Sequence, residues 1–447
     1  MSDPRTRVLA RALGNAFLTA PEWALRPLTD NAATVLGGRR RWTRRLAREV
    51  LDAYPRPPAD RPRELAAFIQ ASPILFTAVL RSVETGRPLR VIRMPPAPVQ
   101  MNTRRPWPVP KIDSIQDLAR LLDLETAQLD WFADVKGLQR RAAPGPLHHY
   151  RYAWASTASK RPRLLEAPLP RLRSRQRTLL EQILARIPTH PAAHGFVPGR
   201  SAVTGAEPHA GAAVVIGLDL AAFFASIQVG QVYGIFRAAG YAEPVAHVLT
   251  GLCTTRTPVR VISNMPATSD VESRVRLRRL LAGGHLPQGA PTSPALANLC
   301  ALGLDRRLNG LAAAVGMTYT RYADDLTFSA GEEVNARRLI TAVDEIVRSE
   351  GFALQSAKTR IRRDFQRQEV TGIVVNAHPN LNRREYDELK AILHNALRHG
   401  PEGQNRAGHR DFRAHLLGRI AWVAQLNPER GRKLRETFEA ITWPSLS

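Results

Sequence analysis

Two adjacent carboxylates, Asp324 and Asp325, stand inside the stretch MTYTRYADDLTFSA. Alternating residues on either side (Tyr319 and Arg321, then Leu326 and Phe328) read as two short strands joined by a tight turn, with both acids at the hairpin tip. Acids so placed repel unless water screens them or a cation sits between them, and a divalent metal is the usual cation where oxygen ligands gather. The plain alternative is a solvated Asp-Asp turn, since aspartate is common in turns. A third acid tips the balance. The apolar run from Ala213 to Leu218 has strand length and ends at Asp219, followed by Leu220-Ala-Ala-Phe223-Phe224. One carboxylate on a buried strand beside two on a hairpin suits two-metal nucleotidyl transfer, in which hard oxygen ligands hold two magnesium ions.

The elements between these acids can be read as well. In Leu286-Pro287-Gln288-Gly289 the proline and glycine fix a bend where backbone can approach a ligand, and Gln288 offers a donor and an acceptor to a base or sugar edge. Pro294 to Asp305 reads as one helix with Ser293 as its cap. Ser159-Lys160-Arg161-Pro162-Arg163 is basic, and lysine and arginine both suit phosphate oxygens. Lys358, in Gly351-Phe-Ala-Leu-Gln-Ser-Ala-Lys358-Thr359, is otherwise an unremarkable lysine before a strand.

Taken in order, these segments resemble the motifs of reverse transcriptases, from about Arg151 to about Pro428. The resemblance implies an α+β right-hand polymerase with fingers, a palm of antiparallel sheet plus helices, and a helical thumb. It makes Asp219, Asp324, Asp325 and Lys358 the catalytic set, with the lysine donating a proton to departing pyrophosphate. Asp219, Asp324, Asp325 and the Leu220 carbonyl would hold two Mg2+ ions. Lys160 and Arg163 would grip the triphosphate, Gln288 and Gly289 would position the nucleotide, and Phe224 would act as a steric gate favouring deoxynucleotides. Phe223 reads as core.

Gln368-Glu369-Val370-Thr371-Gly372-Ile373-Val374 and Gly205-Ala206-Glu207-Pro208-His209 resemble two markers of the bacterial retron branch, the second with glycine in place of asparagine. His194-Gly-Phe196-Val-Pro-Gly-Arg200-Ser looks like the same branch. That resemblance implies a structured non-coding RNA as template and primer, an RNA–DNA hybrid, dNTP substrates, and branched RNA-linked single-stranded DNA, often in phage defence with an effector protein. His209, Val370, Thr371, Gly372, Arg413 and Arg419 are the candidate RNA contacts, although a histidine near a strand is more often a satisfied structural group. An intron-encoded or abortive-infection reverse transcriptase, or a catalytically idle RNA-binding scaffold, are the alternative readings.

Composition fits a nucleic-acid enzyme without requiring one. The 447 residues carry 64 Lys+Arg against 39 Asp+Glu, a net charge of +25, which attracts phosphate and makes binding salt-dependent. No segment approaches the ~18 consecutive apolar residues of a spanning helix, so no membrane partner is expected. No hydrophobic signal core follows Met1, and Cys253 and Cys300 have no zinc or redox spacing, so a cytoplasmic protein is expected.

The expected organisation is a basic helical extension with a Pro-rich linker (1–110), fingers and palm (111–376) and a helical thumb (377–447). In the extension, Arg39 to Arg45 is the densest basic run, with Trp42 either stacking on an RNA base or lying on a solvated helix. Asp113 or Ser114 should cap the first polymerase helix. In the thumb, Tyr386, Leu389, Ile392, Leu393 and Leu397 form one stripe ending at Gly400, and a second helix from Phe412 should end near Asn427-Pro428.

Overall fold

Apolar residues at helical spacing wind the N-terminal stretch into α1 (Pro4–Leu18), α2 (Leu25–Leu36), α3 (Arg41–Ala53), α4 (Pro62–Ala71) and α5 (Pro73–Glu84). The computed structural model describes residues 4–59, 61–86, 88–95, 105–155, 162–332 and 334–443. The five helices enclose a core of their own, centred on Leu13, Phe17, Leu28, Leu46, Leu65, Ile69 and Leu75. Local chemistry sets their ends: Gly37 stops α2 in the left-handed conformation (φ 69°), and Ser72 caps α5 by accepting the Ile74 N–H. Half-buried Trp42 packs against this core, while the arginines of α3 are exposed, as on a solvated helix face.

The chain divides into two compact units. The first comprises residues 1–154, 165–187 and 229–265. Beyond the five helices it holds helix Ile115–Leu121, capped by a reciprocal Ser114–Asp117 box, so Ser114 and not Asp113 is the cap. Strands β1 (Tyr150–Ala155) and β2 (Arg163–Pro168) pair as a two-stranded sheet. Part of the Pro-rich linker, residues 96–104, lies outside the described residues.

The second unit comprises residues 155–164, 188–228 and 266–447. Its centre is a four-stranded antiparallel sheet of β3 (Val214–Asp219), β4 (Thr318–Tyr322), β5 (Asp325–Ala330) and β6 (Arg360–Arg363), in the order β4-β5-β3-β6. β3 is central because both of its faces are apolar: Val214, Val215, Ile216 and Leu218 are all buried. The helix read from Pro294 to Asp305 is two helices, Ser293–Cys300 and Leu302–Ala314. Ser293 is no cap; its hydroxyl instead donates to the Pro287 carbonyl at 2.7 Å.

Strands β7 (Glu369–Val370) and β8 (Ile373–Val374) form a hairpin whose turn, Thr371-Gly372, runs at positive φ (49° and 83°). Three helices follow: Arg383–His399, Phe412–Leu426 and Pro428–Glu439. Leu389 and Leu393 enter their common core, but Leu397 ends up exposed. The second helix ends at Leu426, as expected near Asn427-Pro428, but a third starts at once, because Asn427 also caps it and proline suits its first turn. Among the described residues no single helix is long and apolar enough to cross a membrane.

Candidate active site

Sheet register brings the acids together. β3 runs antiparallel to β5 with Val214 opposite Ala330, and five residues on Asp219 is the cross-strand partner of Asp325. The β4–β5 turn is only two residues, Ala323-Asp324, since Tyr322 pairs with Asp325. Ala323 takes the left-handed conformation (φ 56°), which such a turn demands and which glycine would adopt without strain. Three backbone bonds fix the end of β3: the Leu220 N–H donates to Asp324 O (2.9 Å), the Gln355 N–H to Asp219 O (2.7 Å), and the Ala221 N–H to Ala353 O (2.8 Å).

Crowding perturbs these carboxyls. Asp325 is pushed up to about 6, first by loss of solvent around the carboxyl and then by the charges of Asp324 and Asp219. Asp325 keeps an exposed edge, so water screens part of this effect. Asp324 is also raised, by burial and then by Asp219, while Lys358 and Arg163 pull it back. Lys358 Nζ donates to Asp219 Oδ2 at 2.6 Å, one cation facing three acids. Among the described residues no three His, Cys, Asp or Glu side chains gather around one ion position. The donor set still suits hard divalent cations: carboxylate oxygens on adjoining backbone, mutually repelling.

The surrounding residues fall into place by element. Phe223 is buried against Phe352, while Phe224 is half-buried and faces Phe196 at 6.2 Å between ring centroids. The 286–289 loop is tied to the chain just past Phe224 by the Leu286 N–H to Ile227 O bond (3.1 Å). Gly289 is exposed at φ 124°, beside half-buried Gln288. Arg163 is exposed at the start of β2, and Lys160 lies outside the described residues.

Residues 158–380 match the family described as reverse transcriptase (RNA-dependent DNA polymerase). Two Myxococcus xanthus proteins are similar to this chain. The retron Mx65 reverse transcriptase is 44% identical over 277 residues, 61% of this chain and 60% of that one. The retron Mx162 reverse transcriptase is 37% identical over 344 residues, 72% and 66%. The retron Ec86 reverse transcriptase of Escherichia coli is 31% identical over 279 residues, 62% of this chain and 75% of its own length. The chain belongs to the retron reverse transcriptases. It spans less than two thirds of the two Myxococcus relatives. The family's palm-fingers-thumb fold accords with the mixed helices and antiparallel sheet seen here.

Several retron-branch candidates have structural work inside the fold. His209 is completely buried, and its ring bridges two strands: Nε2 lies 2.7 Å from Thr320 Oγ1 on β4 and Nδ1 lies 2.6 Å from Ser329 Oγ on β5. It has no face for RNA, which corrects the expectation of an RNA contact. Val370 is likewise buried, while the Thr371-Gly372 turn stays accessible. Arg413 is exposed. Arg419 is half-buried, 3.9 Å from Glu388, and borders a cavity of about 440 Å³ with Leu381, Trp422 and His415.

One residue escaped the functional reading altogether. Arg321, fully buried, makes a two-pronged ion pair with Asp305 (Nε–Oδ1 2.7 Å, Nη2–Oδ2 2.6 Å) and donates from Nη1 to Asn298 Oδ1 and to the Ala323 carbonyl, both at 3.0 Å. Asn298 in turn donates to Gly195 O at 2.9 Å. The guanidinium thus holds the catalytic turn from beneath. A signal existed: Arg321 shares its strand face with Tyr319, whose ring is core.

Proposed function

We propose that the chain is an RNA-directed DNA polymerase that extends a primer with dNTPs on a structured RNA. The pairing of Asp219 with Asp325 beside Asp324, inside the family-matched segment, carries this reading. Two divalent ions, expected to be magnesium, would be held by the three carboxylates and the Leu220 carbonyl, and would supply activation of the primer hydroxyl and charge relief at the leaving group. The protein's own residues do the rest. Lys358 sits within reach of the acids, so it can protonate pyrophosphate as the new P–O bond forms and the old one breaks. Arg163 and Lys160 grip the triphosphate, Gln288 and Gly289 position the nucleotide, and Phe224 excludes a 2′-hydroxyl.

In this reading, residues 111–376 are fingers and palm, 377–447 the thumb, and 1–110 an extension. The retron family membership supports a 2′-hydroxyl primer on a cognate non-coding RNA, branched RNA-linked single-stranded DNA as product, and service with an effector protein in cytoplasmic phage defence. Arg413, Arg419 and the Thr371-Gly372 turn remain the RNA contacts proposed. Primer extension with dNTPs and magnesium tests the chemistry. Asp324→Asn and Asp325→Asn should each abolish synthesis, as should EDTA, and undiminished synthesis in either variant would overturn the reading. Sequencing the nucleic acid that copurifies tests the branch: RNA-linked DNA is expected, and bulk unspecific RNA would count against it.

A further inference from the structure

The backbone at Phe196 is held in a conformation that folding alone does not reward. Its φ is 62°, in the left-handed region where a Cβ crowds the carbonyl, and its ring is 50% exposed. A buried ring would offset that strain through lost water contact; this one offsets little. An unrewarded outlier at a carboxylate cluster points to function.

The strain is imposed by a locked loop. Arg200 Nη1 donates to the carbonyls of His190 (3.0 Å), Pro191 (3.0 Å) and Ala193 (2.6 Å). The Arg321 N–H donates to Ala192 O (2.7 Å) and the His194 N–H to Arg321 O (2.8 Å), which stitches the loop to β4. Gly195 lies so close to the catalytic turn that a Cβ there would meet the Ala323 amide nitrogen at 2.6 Å. The next residue therefore has one direction left. Its ring stands between Phe224 (6.2 Å) and Tyr322 (6.4 Å), the latter two residues before Asp324.

We propose that Phe196 is a nucleic-acid contact: its exposed face packs on the terminal base pair of the template–primer duplex and holds the primer end at the carboxylates. This inference rests on the polymerase reading above. A 3′ end has to come to Asp219, Asp324 and Asp325 to be extended, so the pair that carries it passes the ring beside Tyr322. Phenylalanine offers no hydrogen bond, so the contact reads no sequence. Every base presents a π-face, and a polymerase that must copy any template needs such tolerance. A protein partner on this ring would obstruct the same carboxylates, which makes a nucleotide the fitting occupant.

The test compares Phe196→Ala, Phe196→Leu and Phe196→Trp with the unsubstituted chain on an RNA–DNA hybrid with a recessed 3′ end. Because the ring covers no core, all three should melt with the parent. Phe196→Ala should weaken hybrid binding by about tenfold and raise the hybrid KM in step, with kcat and the dNTP KM unchanged. Tryptophan should restore binding and leucine should not. Unchanged binding in Phe196→Ala, or full rescue by leucine, would overturn the proposal. So would an altered preference for deoxy- over ribonucleotides with binding intact, since Phe196 would then act only by bracing Phe224. Asp325→Asn, run alongside, separates the two readings. If it still extends primers, the polymerase reading fails. If it is inactive while Phe196→Ala binds normally, only the Phe196 inference fails.

Discussion

His209 makes acid stability a direct test of the sheet's interior. Thr320 Oγ1 donates to the Gly205 carbonyl at 3.0 Å, so toward His209 it accepts, which places the ring proton on Nε2. Nδ1 then accepts from the Ser329 hydroxyl. A second proton on Nδ1 has no acceptor unless Ser329 reverses, and no water reaches the ring. Burial accordingly lowers this histidine from 6.5 to about 4. Folding disfavours the proton, so the stability is complete above about 6.5, falls as the pH drops, and levels off below about 4. Between pH 7 and pH 4 the loss amounts to about 3 kcal/mol. Other groups also titrate there, so the quantity to measure is a difference. Urea unfolding of the parent and of His209→Gln at several pH values should give curves that converge by about 3 kcal/mol as the pH falls, the glutamine variant being the less sensitive. Parallel curves would refute the reasoning, because they would mean that the ring is charged or hydrated in the fold.

Three further outcomes are expected. Arg321→Met should cost about 3–5 kcal/mol in urea unfolding by stranding Asp305, and Arg321→Met with Asp305→Leu should recover much of it without restoring synthesis, since the tie to Ala323 is gone. Lys358→Met should slow single-turnover incorporation by about 100-fold or more while hybrid affinity holds, and an unchanged rate would remove Lys358 from the chemistry. Phe224→Ala should admit ribonucleotides, lowering the deoxy/ribo ratio of kcat/KM by about tenfold or more, and an unaltered ratio would end its role as gate.

The strands bearing the acids were legible because strand signals are local. The apolar run before Asp219 and the alternation around Tyr322-Ala323-Asp324-Asp325 each fit in a short window, as do the Gly400 stop and the Ser114 cap. The helix break at Ala301 and the helix beyond Asn427 were missed, since either segment could have been drawn otherwise on periodicity alone. Where a side chain ends up facing is another matter. Arg321 and His209 are both sealed inside by partners that local pattern does not name: Asp305 and Asn298 for one, Ser329 and Thr320 for the other. Lys358 meets Asp219 across 139 positions.

Residue order therefore decided which strands form and which of their ends carry acids, because those depend on spacing a few residues long. Only the folded sheet decided that Asp219 faces Asp325, that Lys358 reaches Asp219, and that Phe196 is left uncovered beside them. Strand register and loop closure set these contacts, and both depend on how distant segments pack together.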